Sequence, residues 1–266
     1  MGKEMPFPES KRVVYEHNPL VQVICQLRFP TILQISSQEP AAFQNKLRSE
    51  YPLYTRVDRR AAFPKEISDL LAHLAVSVPP EGVTHKFLTE DSTRFISLAD
   101  DFLAITEEKY HRWEAFREEI KLSKGAVEEI YTPAFYSRIG LRYRDVIDRA
   151  ALGLAAEPWD SLVNPSLIGV LGAAEVRDQV QGINAEALVR LDQIPGGFVR
   201  IRHGLTKPAQ DGHEAYQVDV DCFTEERGAS EDVSGVLNAF NRVAGNLFRW
   251  AITPRLRDAL NPLDID

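Results

Sequence analysis

The chain has 266 residues, 44% of them hydrophobic and 26% charged, with a formal net charge of −8. A chain of this length and composition can bury enough surface to make a core without a disulfide, a metal or a partner. The negative balance argues against non-specific contact with nucleic acid or anionic lipid, and no stretch approaches the ~20 apolar residues of a membrane helix.

The two cysteines, Cys25 and Cys222, each sit in an apolar stretch with no other cysteine nearby. They read as buried small hydrophobes in a reducing compartment. Met1–Pro8 carries no apolar run of the signal-peptide kind, and Pro6 stands where a myristoylation signal has Ser or Thr. The expectation is a cytoplasmic protein.

Residues 1–18 are polar and Pro-rich and are expected to form an extended arm. A strand follows over Leu20–Phe29, where Val21, Val23, Cys25, Leu27 and Phe29 recur with period two. A short helix is expected from Pro40, with Phe43 and Leu47 on one face and Pro52 as its stop. Residues 53–82 are hard to read, with a helix expected around Ile67–Leu74 before Pro79-Pro80. Strands are expected at Thr84–Thr89, Arg94–Ala99 and Phe102–Thr106, the last two joined by a turn at Asp100-Asp101. Thr106 then suits an N-cap, with Glu107 and Glu108 in the first turn of a helix that carries Tyr110, Trp113, Phe116, Ile120, Val127 and Ile130. Pro133 ends it.

The order then recurs. A long strand spans Phe135–Ile147, and short helices lie near Pro158–Val163 and Pro165–Leu171. Strands at Ile183–Ile194, Phe198–Thr206 and Ala215–Thr224 are joined by turns at Pro195-Gly196-Gly197 and Asp211-Gly212. A helix capped by Ser230 carries the stripe Val233, Val236, Leu237, Phe240, Val243, Ala244, Leu247, Phe248 and Ala251, and Pro254 marks its end or a kink. The expected fold class is α+β: an antiparallel sheet with long helices on one face. It is expected to form from an arm (1–18) and two similar halves in tandem, 19–132 and 133–266.

Local catalytic signatures are missing. The six histidines (His17, His73, His85, His111, His203 and His213) never fall at metal spacing, and there is no Cys-x-x-Cys. His203 and His213 flank one expected hairpin loop. Gly196-Gly197 lacks the Lys-Ser/Thr of a phosphate loop, and no Gly-x-Ser-x-Gly elbow occurs. No cofactor or metal site is expected.

The strands carry the more informative pattern. Asp219 and Asp221 alternate with Val218, Val220 and Cys222, so both carboxylates share one strand face. Such a pair can hold a divalent cation, but it is also what the polar face of an antiparallel strand looks like. Arg138, Arg142 and Arg144 share a face, as do Arg200 and Arg202. A zone of these seven residues is either an anion-recognising set of guanidinium forks or a cross-strand charge ladder. The mixed signs favour the ladder. Trp159 and Trp250 fall outside the main stripes and suit either burial between the halves or a partner-binding patch.

The segment Tyr15–Pro30, with Asn18-Pro19-Leu20-Val21 leading into a strand that ends Leu27-Arg28-Phe29-Pro30, resembles the opening of a sporadically distributed bacterial protein family of similar length with no assigned function. Gly140-Leu141-Arg142-Tyr143, followed by Asp145, is similar to that family's second recurring segment. Asn18-Pro19 is followed directly by Leu20, a small departure. The resemblance implies patchy inheritance of the kind found among mobile or defence-associated genes, and it implies no catalytic residues.

With no catalytic signature and a well-specified fold, the leading expectation is a non-catalytic binding protein whose partner is another protein or a second copy of itself. The alternative is a receptor or enzyme for a small molecule or anion, using the Arg/Asp face or a cavity between sheet and helices. Nucleic-acid binding through the arginines is opposed by the overall charge.

Overall fold

The computed structural model describes residues 6–58, 82–206, 214–227 and 233–264. The helix expected around Ile67–Leu74, the Asp211-Gly212 turn and the Ser230 cap lie outside the described residues. In chain order the elements begin with strands β1 (Val13–Tyr15) and β2 (Leu20–Arg28), then helices α1 (Leu33–Ser37) and α2 (Ala41–Leu47). Strands β3 (Leu53–Asp58), β4 (Val83–Leu88), β5 (Arg94–Ala99) and β6 (Phe102–Glu107) lead into helix α3 (Trp113–Tyr131). Strand β7 (Arg138–Ile147), helices α4 (Trp159–Leu162) and α5 (Pro165–Ile168), and strands β8 (Asn184–Leu191), β9 (Gly197–Thr206) and β10 (Ala215–Thr224) follow. The chain closes with helices α6 (Val233–Ala251) and α7 (Pro254–Ala259) and strand β11 (Pro262–Asp264).

Among the described residues nine strands form one antiparallel sheet, and β1 pairs with β11 in a second, two-stranded one. The class is α+β. Two compact units divide the chain: Met1–Ile24 with Lys109–Trp113 and Arg138–Asp266, and Cys25–Glu108 with Glu114–Ser137.

In the second of these units β3, β4, β5 and β6 pair in that order. Register sets Phe87 beside Ile96, Ile96 beside Ile105 and Leu98 beside Leu103, and all five are buried. Phe43 of α2 lies 5.3 Å from Phe87 and 6.4 Å from Tyr131 of α3, ring centre to ring centre. Phe116, Ile120, Ser123, Val127 and Tyr131, spaced by three and four, form the buried stripe of α3. Glu119 accepts hydrogen bonds from Tyr51 Oη at 2.6 Å and Arg94 Nη1 at 2.7 Å.

In the first unit the order is β7-β10-β9-β8. One face presents Ile139, Leu141, Tyr143 and Ile147 of β7, Val218, Val220 and Cys222 of β10, and Val199 and Ile201 of β9, all buried. Helix α6 covers β7 and β10 with Leu237, Phe240, Val243, Ala244, Leu247 and Phe248. Each large side chain so buried is worth roughly 1.5–3 kcal/mol. Gly196, with φ of 58°, turns β8 into β9 in a conformation that disfavours residues with a Cβ.

Several expectations are corrected. Thr106 is not an N-cap: it pairs with Phe95, and Glu107 with Arg94, so the β5–β6 ladder runs on and α3 starts only at Trp113. Tyr110 therefore lies outside the helix. Pro254 does follow the end of α6 at Ala251, and it also opens a new helix, capped by the Thr253 hydroxyl accepting from the Leu256 amide. The strand expected from Phe135 begins at Arg138. The tryptophans find partners within the first unit. Trp159 is buried against Tyr216 and donates to Glu214, and Trp250 packs on Phe7.

Candidate functional site

The Arg/Asp zone assembles as its alternation requires. Arg138, Arg142 and Arg144 of β7, Asp219 and Asp221 of β10, and Arg200 and Arg202 of β9 occupy the sheet face opposite α6, with Glu186 of β8 beside Arg202. Asp219, 2% exposed, accepts from Arg142 Nε at 2.7 Å and Nη2 at 2.5 Å, and Arg202 Nη1 stands 3.9 Å away. The bond to Asp219 holds the Arg142 guanidinium charged even more firmly than usual. Asp221 accepts from Arg138 Nη2 at 3.1 and 3.0 Å, with Arg200 Nη1 at 4.0 Å. Arg202 Nε donates to Glu186 at 2.7 Å and Arg144 Nε to Gln217 at 3.1 Å. Arg138, Arg142, Arg200 and Arg202 engage carboxylates of their own face while Arg144 turns to Gln217, so the Asp-x-Asp pair is not laid open for a cation. Arg138 and Arg200 also lie over the Phe223 ring, at 4.9 and 5.2 Å.

Among the described residues no group of three or more His, Cys, Asp or Glu could hold a metal. His203, buried, has Nδ1 2.8 Å from Tyr216 Oη, and burial lowers its pKa. His85 lies 2.9 Å from Tyr54 Oη. His73 and His213 fall outside the described residues.

A different site lies on the α6 side of the same unit. A cavity of about 450 Å³, open on one side, is bounded by the N-terminal arm, β7, α6 and the connection before α3. The arm is held in place by three ties. The β1–β11 pairing sets Tyr15 beside Pro262, Ser10 donates from its amide and hydroxyl to Asn246 Oδ1 at 3.2 and 3.0 Å, and Arg249 Nη2 donates to the Lys11 carbonyl at 2.7 Å. Asn18 Nδ2 reaches the Tyr110 carbonyl at 3.4 Å and fixes the connecting segment. The walls are aromatic: Tyr15 meets Phe248 edge-on at 5.8 Å, and Tyr110 meets Tyr143 edge-on at 6.0 Å. Tyr143 Oη donates to Asn241 at 2.8 Å, and Trp113 Nε1 donates to Asn238 at 2.7 Å.

Two polar groups of this cavity have no such partner. Among the described residues nothing hydrogen-bonds the buried Tyr15 Oη. Asp145, 6% exposed, continues the inward series Ile139, Leu141, Tyr143 on β7, and no group among the described residues hydrogen-bonds its carboxyl. Burial, reinforced by repulsion from Asp219, pushes its pKa up to about 8. Burial likewise raises Tyr15 to about 12 against the opposing pull of Arg249 and Arg257. At neutral pH burial therefore favours the O–H form of both. Buried polar groups are rarely left unpaired, because each costs about 1–3 kcal/mol, so the Tyr15 hydroxyl, set on a cavity that also holds the Asp145 carboxyl, points to a ligand that pairs it.

Asp145 was not among the candidates drawn from the sequence. The available signal was a carboxylate at an inward position of an otherwise apolar alternation. A second depression, of about 470 Å³ beside Trp159, is lined by Arg149 and Arg177, which are already paired with Glu214 and Asp160. No protein-family model matches the chain, and no curated protein matches it.

Proposed function

We propose that this protein binds a small organic molecule in the cavity formed by the arm, β7 and α6. The observation that carries this reading is one aromatic cavity of about 450 Å³ that holds both the buried, unpartnered Tyr15 hydroxyl and the inward-facing Asp145 carboxyl. That volume suits a ligand in the usual size range for enclosed pockets. A cytoplasmic setting belongs to the same reading, since Cys25 and Cys222 are both buried free thiols.

The test is native mass spectrometry on untagged protein purified gently from its host, alongside Gly245→Leu. Gly245 lines the cavity, and a Cβ there would meet no atom within 4 Å. Leucine also gains about 1 kcal/mol of helix propensity, so the fold tolerates it while its side chain takes up cavity space. A bound small molecule, present in the natural chain and absent from the variant, is expected. An empty chain whose melting temperature also ignores a broad metabolite library would overturn the reading.

The sheet face supports a second reading, docking of an acidic protein partner, because five arginines there oppose Asp219, Asp221 and Glu186. In the same preparation that reading requires a co-purifying protein at fixed stoichiometry, lost on Arg144→Glu. Its absence at low salt rejects it.

A further inference from the structure

The rim of the cavity carries a charge opposite to that of the whole chain. Lys11 and Arg12 reach it from the arm, Arg112 from the connection before α3, and Arg242 and Arg249 from α6, against the carboxylate of Glu9. Three of these cations are engaged: Lys11 lies 2.7 Å from Asp264, Arg249 donates to the Lys11 carbonyl, and Arg12 has a partner of its own. Arg112 and Arg242 are exposed on two different walls of the opening. In a chain of net charge −8, such a local excess is a focused field that attracts anions and holds them where guanidiniums converge.

The floor differs. Its polar groups are the unpartnered Tyr15 hydroxyl and the Asp145 carboxyl, with the Arg249 guanidinium held 6.0 Å from the Tyr15 ring, and Tyr110, Tyr143 and Phe248 line the same cavity.

Resting on the small-molecule reading above, we infer that the ligand is an amphipathic organic anion. Its carboxylate or phosphate lies at the rim between Arg112 and Arg242, its flat apolar body stacks among the tyrosines, and a carbonyl or hydroxyl oxygen at its far end accepts from Tyr15 and Asp145. A cationic ligand is opposed at the entrance. A fully apolar one would leave the two floor donors as they are.

The experiment compares two fluorescent probes of nearly the same aromatic body, anionic 8-anilino-1-naphthalenesulfonate and uncharged N-phenyl-1-naphthylamine. Each is titrated into the natural chain, Arg112→Gln/Arg242→Gln and Gly245→Leu. The expected result is one site per chain for the sulfonate, weakened at least fivefold by the double glutamine variant and by 0.5 M salt. The uncharged probe should bind more weakly and change less than twofold in that variant. Gly245→Leu should remove both, with unchanged circular dichroism. If both probes bind alike and neither responds to the double variant, the anion inference is overturned while the cavity reading stands. If neither probe binds, both are overturned.

Discussion

Arg142 reaches diagonally across the β7–β10 pair to hold Asp219 with two hydrogen bonds, although the register sets Arg144, not Arg142, directly opposite that aspartate. The diagonal follows from length. A guanidinium spans the gap to a neighbour two residues along the partner strand, and its fork then matches both carboxylate oxygens. Arg144 is left to Gln217.

This geometry sets a first prediction. Asp219 is 2% exposed, so removing Arg142 strands a buried charge, which costs about 3–5 kcal/mol, far more than the pair itself contributes. Arg142→Ala should therefore destabilise by roughly 3 kcal/mol in urea denaturation. Arg142→Met/Asp219→Leu should recover at least half of the loss. A change below about 0.5 kcal/mol for Arg142→Ala, the worth of a surface ion pair, would show that Arg202 alone can neutralise Asp219.

Gly140 makes the neighbouring pair possible. A Cβ at Gly140 would stand 2.1 Å from Arg138 Nη1, because that guanidinium folds across the bare glycine to reach Asp221. Gly140→Ala should displace Arg138 and destabilise by about 1–3 kcal/mol through the half-lost carboxylate pairing. In an Arg138→Ala background the same change should be neutral, or stabilising by about 0.5–1 kcal/mol as a strand glycine is replaced. A double-mutant cycle measures this, and additivity would refute the steric account.

The faces of β7, β9 and β10 were legible because period-two alternation leaves no freedom once one face is apolar: Val218, Val220 and Cys222 assign Asp219 and Asp221 to the other side. The buried stripe of α6 was legible for the same reason at period 3.6. The start of α3 was not, since Thr106-Glu107-Glu108 satisfies cap chemistry locally while the Phe95–Thr106 pairing that overrides it is tertiary. The cavity escaped notice because its walls come from residues near 15, 110, 145 and 245, which no local spacing connects. The one cue within β7 was Asp145, a carboxylate in an apolar row that the candidate set did not include.

Asp145 should leave a mark on the pH dependence of stability. Tyr15 from the arm, Asn241 and Arg249 from α6, and Tyr110 and His111 from the connecting segment line the same cavity, and Asp219 on β10 adds repulsion. Its folded pKa, about 8, lies above the ordinary carboxyl value of 3.8. Between these limits the folded state keeps a proton that the unfolded state has released, so this group erodes stability as pH rises, and the loss is complete above pH 8. Asp145→Asn removes the titration. Its stability relative to the natural chain should match near pH 4 and grow to several kcal/mol by pH 8, at up to about 1.4 kcal/mol per unit. A difference constant from pH 4 to 8 would mean that the carboxyl is ionised and paired in the folded protein.

Tyr15 offers the complementary trade. Its buried hydroxyl has no partner, and its ring is supported by Phe248 and by the Arg249 guanidinium 6.0 Å from its centre. Tyr15→Phe keeps those ring contacts and removes a polar atom that costs about 1–3 kcal/mol to bury unpaired. The ligand-free variant should thus melt higher than the natural chain by a few degrees, since about 1 kcal/mol moves the midpoint of a chain this size by roughly 2–4 °C. A ligand that accepts from that hydroxyl should bind the variant more weakly by about tenfold, as one hydrogen bond of roughly 1.4 kcal/mol is lost. The two effects have opposite signs only if the hydroxyl is kept for binding. A variant that melts lower would show instead that Tyr15 is hydrogen-bonded in the free protein, and that its place at the cavity is structural.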